Sequence, residues 1–217
     1  LVAVLALVQP RPPAPSAPNL AATAFGALVA LSVPLFWSPP QTQDEPEETL
    51  ASGLPEVLAA EQRPGVITVV EFLDPDCDAC RTYDSFLREW QARAGDKIRV
   101  VRKLVPREER AQAAARALCC AEQLGAGDAM AEALLSGPLP APSEVEGLAA
   151  SLNLDPILYR GCVDSPASGE QVARDVESAS ALGVVSLPTI WVGGERVDGH
   201  RAPEELQTCL ERALGAL

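Results

Sequence analysis

The chain has 217 residues, 47% of them apolar, and a formal net charge of -13. That length holds one core-forming domain plus an appendage, and that charge argues against nucleic acid, because gripping a phosphate backbone needs a basic surface. With His200 as the one histidine, His-rich metal sites are excluded and Ser-His-Asp or Cys-His hydrolases are disfavoured.

The chain opens at Leu1 rather than Met and reads as a fragment or processed product with something missing upstream. Leu1 to Val8 is apolar but too short to span a bilayer, which takes about 20 residues. Asn19 or Leu20 to Trp37 is uncharged and near the required length, with Trp37 where an interface anchor belongs. The proline-rich connector between them carries Arg11, whereas Asp44, Glu45, Glu47 and Glu48 follow the second stretch. The positive-inside rule then puts everything after Trp37 outside the cytoplasm. A cleaved signal peptide is the alternative, but no A-x-A-like site closes the stretch. Residues 1–37 are thus expected as membrane segments, and residues 38–64, rich in proline and acid, as a linker. A short helix around Glu56 to Gln62 fits near the domain entrance.

The domain proper is expected over residues 65–217. Val66 to Leu73 is a continuous apolar, β-branched run, the pattern of a strand buried on both faces. After DPDCDAC, residues Cys80, Tyr83, Phe86, Leu87 and Trp90 fall on one helical face, and Gly95-Asp96 ends the helix. Ile98 to Val105 is the next strand, so the segment forms a right-handed βαβ unit. A helical, strand-free block follows over about 107–182. It contains a helix from Glu108 to Leu124, one opened by a Ser143/Glu146 capping box, a short one after Asp155-Pro156 carrying Leu158 and Cys162, and one from Gly169 to Leu182 with Val172, Val176 and Ala179 inward. Thr189–Val192 and Glu195–Asp198 flank Gly193-Gly194 as a hairpin. A last helix from Pro203 buries Leu206, Cys209, Leu210 and Leu214.

Cys77 and Cys80 sit where the first strand meets its helix. The first sulfur lies at the helix N-terminus, where orphan N–H groups and the dipole favour a thiolate; the second lies one turn on, within disulfide reach. Zinc sites use the same spacing. They need two further ligands, however, and adjacent Cys119 and Cys120 make an awkward pair, so redox use is favoured and no metal is expected.

The run Glu71-Phe72-Leu73-Asp74-Pro75-Asp76-Cys77-x-x-Cys80 and the later Ser186-Leu187-Pro188-Thr189 resemble the DsbA-like branch of the thioredoxin superfamily. The resemblance implies an α/β, thioredoxin-like fold with a helical insertion, acting as a protein thiol–disulfide oxidoreductase. It implies Cys77 as attacking thiolate, Cys80 as buried resolving thiol, Pro188 as a cis-proline facing them, and Leu187 and Thr189 as substrate-binding neighbours. Glu71 holds the place of a buried acid that relays a proton to and from Cys80; an exposed strand-end Glu is the alternative. The dipeptide Asp78-Ala79 between the cysteines departs from the family's pattern, and the charge of Asp78, with Asp74 and Asp76 near, is expected to raise the Cys77 pKa relative to a histidine-containing motif and to stabilise the disulfide. The resemblance also suggests a structural disulfide, Cys120–Cys162, because Ala121-Glu122-Gln123 follows Cys120; Cys209 reads as a small buried hydrophobe.

The two N-terminal apolar segments resemble the last helices of a bacterial vitamin K epoxide reductase homologue fused to its redox partner. That resemblance implies membrane anchoring, a domain in the periplasm or outside the cell, and a quinone in an upstream membrane domain, with a redox-active disulfide and no other cofactor here. Three functions stay open: disulfide exchange with extracytoplasmic proteins, a thiol carrier serving only the fused membrane domain, and a non-catalytic binding module stapled by Cys77–Cys80.

Overall fold

The computed structural model describes residues 53–199 and 202–217. The expected membrane segments, most of the expected linker, and His200 lie outside the described residues. Among the described residues no helix is long and apolar enough to cross a membrane.

Strands β1 (Ile67–Leu73), β2 (Ile98–Leu104), β3 (Thr189–Val192) and β4 (Glu195–Asp198) form one mixed sheet in the order β2-β1-β3-β4. β1 pairs parallel with β2 and antiparallel with β3, and β3 pairs antiparallel with β4. Every residue of β1 is buried, as a central strand covered on both faces requires. Helix α1 (Asp78–Ala94) joins β1 to β2, and α7 (Pro203–Gly215) closes the chain. Both cover one face, where Tyr83, Leu87, Leu206 and Leu210 meet Val69, Ile190 and Val197.

The insertion covers the other face. It comprises α2 (Glu109–Gln123), α3 (Gly127–Leu135), α4 (Pro142–Ser151), α5 (Pro156–Val163) and α6 (Pro166–Ala181). Leu118, Met130, Leu134, Val145 and Val172 pack there with Val70, Phe72 and Trp191. Gly95, Gly125 and Gly183 follow α1, α2 and α6 with positive φ, conformations a side chain disfavours.

Several sequence expectations need correction. A separate helix, α3, follows α2 within the block, where the sequence pattern marks none. α4 starts at Pro142, and Glu144, not Glu146, accepts the Ala141 N–H at 2.8 Å. Ala141 offers no side-chain acceptor, so only half a capping box forms, while Glu146 instead pairs with Arg160. Val176 and Leu158 face solvent; Asp175 and Tyr159 take the inward places, because Asp175 accepts the Leu104 N–H at 3.0 Å. Part of the expected linker packs onto the domain. Leu54 and Leu58 are buried in the core, the 3-10 turn Glu56–Glu61 lies against the sheet, and Glu61 pairs with Lys103 at 2.7 Å.

Beneath α1 lies a buried ion pair: Arg102 Nε donates to Asp84 Oδ1 at 2.8 Å, with both side chains essentially inaccessible. Arg102 also reaches Asp128 at 2.7 Å, and Arg88 Nε donates to the second Asp84 oxygen at 2.8 Å. Removing one partner strands a charge in the core. Arg102→Ala is therefore expected to lower unfolding free energy by about 3–5 kcal/mol, read as a lower urea midpoint at unchanged slope. A loss below about 1 kcal/mol would mean the pair is solvated in practice.

Candidate active site

The chain leaves β1 through Asp74, whose side chain accepts the N–H groups of Asp76 and Arg107, each at 2.9 Å. Its carbonyl accepts the Cys77 N–H at 3.0 Å. This tight turn delivers Cys77 to the N-cap of α1, where its sulfur takes the place of a capping oxygen and accepts the Cys80 N–H at 3.3 Å. Cys77 is half-buried, and Cys80, on the inward face of the first helical turn, is buried.

The two thiols are made unequal by that geometry. A proton shared from Cys80, together with the N–H groups of Cys80 and Ala79, pulls Cys77 from 9.0 down to about 6, against partial burial and the charge of Asp74. The same shared proton and burial push Cys80 far above the ordinary thiol range. The expected acidic surround is thus outweighed by donors. Asp78 pairs with Arg81, and Asp76 with Arg110, which leaves Asp74 to act against the thiolate. Because the Cys77 pKa is depressed, the thiolate persists down to about pH 6. Alkylation of Cys77 by iodoacetamide, mapped by mass spectrometry, is expected to rise through a midpoint near 6 and to level off well below pH 9. A midpoint near 9 would contradict the donor geometry.

Glu71 lies in register with Arg102 on one side and Ile190 on the other, fully buried, with neither carboxyl oxygen hydrogen-bonded. The exposed strand-end alternative is therefore excluded. Burial first, then the charge of Asp84, raise its pKa well above 4.5 against the pull of Arg102. Its charge is felt at Cys80, and that of Cys77 is felt at Glu71.

The second motif meets the first in space. The Leu187–Pro188 peptide is cis, and the Cys77 thiol donates to the Leu187 carbonyl at 3.7 Å. Thr189 is buried at the start of β3. Away from this site, Cys120 and Cys162 are disulfide-bonded, their Cα atoms 5.8 Å apart, joining α2 to α5. Cys119 is a buried thiol that accepts from Gln123 Nε2 at 3.4 Å. Cys209 departs from the expected buried hydrophobe: it is half-buried and donates to Glu195 at 3.2 Å, and burial with that carboxylate pushes its pKa up to about 11.

The sequence reading missed Asp84 and Arg102, the charges that face Glu71. A signal existed: Asp84 lies one turn beyond Cys80 on the apolar stripe, and Arg102 alternates inward with Ile98 and Val100.

Residues 66–212 match the family described as Thioredoxin. The chain belongs to the thioredoxin family. Among solved structures, this thioredoxin domain is similar to a thioredoxin-like oxidoreductase from Silicibacter pomeroyi, at 27% identity and a TM-score of 0.61, covering 71% of this chain and 90% of that one. The fold is shared with the thiol-disulfide exchange protein alpha-DsbA2 from Wolbachia pipientis, at 15% identity, a TM-score of 0.62, and coverage of 70% and 83%. It is shared too with DsbA from Xylella fastidiosa, at 24% identity, a TM-score of 0.54, and coverage of 70% and 88%. Among curated proteins, 146 residues are 31% identical to the Na(+)/H(+) antiporter NhaA of Herminiimonas arsenicoxydans; the match covers 67% of this chain and 24% of that protein. The chain thus spans about a quarter of the length of that relative.

Proposed function

We propose that this thioredoxin domain is a thiol–disulfide oxidoreductase that exchanges disulfides with extracytoplasmic proteins through Cys77 and Cys80. The observation that carries the reading is the asymmetry of the pair, one thiol lowered to about 6 and exposed enough to react, the other buried and raised. The Cys77 thiolate attacks one sulfur of a client disulfide, forming a Cys77–client bond and releasing the other client sulfur as a thiolate. Cys80 then gives up its proton and attacks the Cys77 sulfur, releasing the second client thiolate. Two electrons pass from the pair to the client, and the reverse sequence oxidises a client dithiol. Leu187 offers backbone to the client strand, and Glu71 exchanges the proton of Cys80. The Cys120–Cys162 bond favours an oxidising compartment, since such bonds are rare where thiols are kept reduced. Titration of the Cys77–Cys80 pair against glutathione, with insulin reduction and dithiol-peptide oxidation assayed in parallel, tests the reading and gives the direction. A pair that exchanges with neither client would leave it as a fixed staple in a binding module.

A second reading has its own support. The identity with part of an antiporter favours a domain attached to a membrane protein, acting as a thiol carrier for that partner alone. The quinone-linked, vitamin K epoxide reductase type of partner rests on the apolar N-terminal pattern alone. A cysteine pair on the full-length membrane part, cross-linking to Cys77 in a Cys80→Ser background, would favour the carrier; exchange with free protein clients alone would oppose it.

A further inference from the structure

The segment Val184–Pro188 brings Leu187 to Cys77, yet it belongs to no helix or strand. It is held from behind. Thr189 Oγ1 lies 2.8 Å from the Ser186 carbonyl and 3.0 Å from Asp198 Oδ1, so the single hydroxyl proton is shared between an acceptor on the loop and one on β4. The same Asp198 oxygen accepts from Arg196 Nε at 3.1 Å and from Nη2 at 3.0 Å. Arg196 in turn donates to the carbonyls of Leu182 and Gly183, at 3.0 and 3.2 Å, where α6 ends and the loop begins. Its guanidinium also lies 5.2 Å over the Trp191 ring, which fixes its plane. Next along the chain, the Gly199 N–H donates to the Pro188 carbonyl at 2.7 Å. A Cβ at 199 would collide with Pro188 Cδ and stand 2.7 Å from that carbonyl oxygen, so the backbones can approach this closely only with glycine there.

Both ends of the loop are therefore tied to one carboxylate on β4. We propose that Asp198, with Arg196 and Thr189, is a positioning residue that sets the Leu187 backbone against the Cys77 sulfur and so determines how well an extended client chain docks. This deepens the thiol–disulfide reading and rests on it. Losing a hydrogen bond to a charged group is worth about tenfold or more in an equilibrium. A small disulfide needs only the sulfur, whereas a peptide needs the backbone beside it.

The test compares wild type, Asp198→Ala and Asp198→Asn with oxidised glutathione and with a disulfide-containing extended peptide. Asp198→Ala is expected to lower kcat/KM for the peptide about tenfold through KM, with glutathione exchange unchanged. Asp198→Asn, which keeps an acceptor oxygen, is expected to restore most of the peptide rate. Equal losses with both disulfides would mean a merely structural role, and no loss with the peptide would mean no role; either overturns the proposal. Should wild type exchange with neither disulfide, the function reading fails on its own. The brace is then judged by hydrogen exchange at the Gly199 amide, expected to quicken in Asp198→Ala and not in Asp198→Asn; equal exchange in both overturns it.

Discussion

Cys77→Ser is expected to abolish disulfide exchange, whereas Cys80→Ser is expected to accumulate a covalent Cys77–client adduct. The sulfur of Cys77 is half-exposed and its thiol is lowered to about 6, so at neutral pH it is the one ready nucleophile of the pair. Serine at 77 has no comparable anion and cannot form the mixed disulfide. At position 80 the loss falls later: the first attack still occurs, but nothing inside the helix turn displaces the client. Serine at 80 keeps a hydroxyl donor beside Cys77, and the N–H groups of residues 79 and 80 are untouched, so Cys77 is expected to stay a thiolate at neutral pH, where trapping is sought. Non-reducing gels with a mapped client cysteine distinguish the outcomes. Adducts formed through Cys80 in Cys77→Ser would reverse the assignment.

Glu71→Gln is expected to slow the resolving step about a hundredfold, the lower range for a positioned acid or base, with the fold kept. The amide matches the carboxyl in shape but takes up no proton. Cys80, raised far above the ordinary thiol range, must lose its proton to react, and buried Glu71 is an acid whose charge it feels. Rapid-quench measurement of the two steps separates them: the first attack by Cys77 keeps its rate and the second does not. Equal rates across pH would move the proton path elsewhere. Stability gives an independent sign. The folded pKa of Glu71 lies above 4.5, so the native state is progressively disfavoured as pH rises from 4.5 through that raised value. Glu71→Gln has nothing to ionise, and its stability relative to wild type is expected to improve across that window.

How far these features can be seen from the amino acids alone follows from their range. The strands and α1 are local patterns: the unbroken apolar run of β1 and the spacing of Cys80, Tyr83 and Leu87 need no partner to be recognised. The site needed two motifs 110 residues apart, and their order gave them meaning, because Cys77 and Leu187 meet across the sheet. What escaped is what depends on pairing in space. Asp84 and Arg102 look like ordinary surface charges until β2 lies beside β1 and α1 covers both. The burial of Asp175 in place of Val176 has the same origin, since the N–H of Leu104 needed an acceptor at that point. The lowered pKa of Cys77 followed from the helix start, yet the weight of the nearby aspartates could not be judged before Arg81 and Arg110 were seen beside them.

The 3.7 Å contact between the Cys77 sulfur and the Leu187 carbonyl gives one proton two consequences. While the thiol holds it, the sulfur is a poor nucleophile and the carbonyl is already engaged as an acceptor. When it departs, near pH 6, the sulfur gains its charge and the carbonyl loses its donor at the same instant. Reactivity and a less engaged acceptor for an incoming amide therefore arise together, so a chain arriving at the thiolate meets both the nucleophile and the freer carbonyl, and one arriving at the protonated enzyme meets neither.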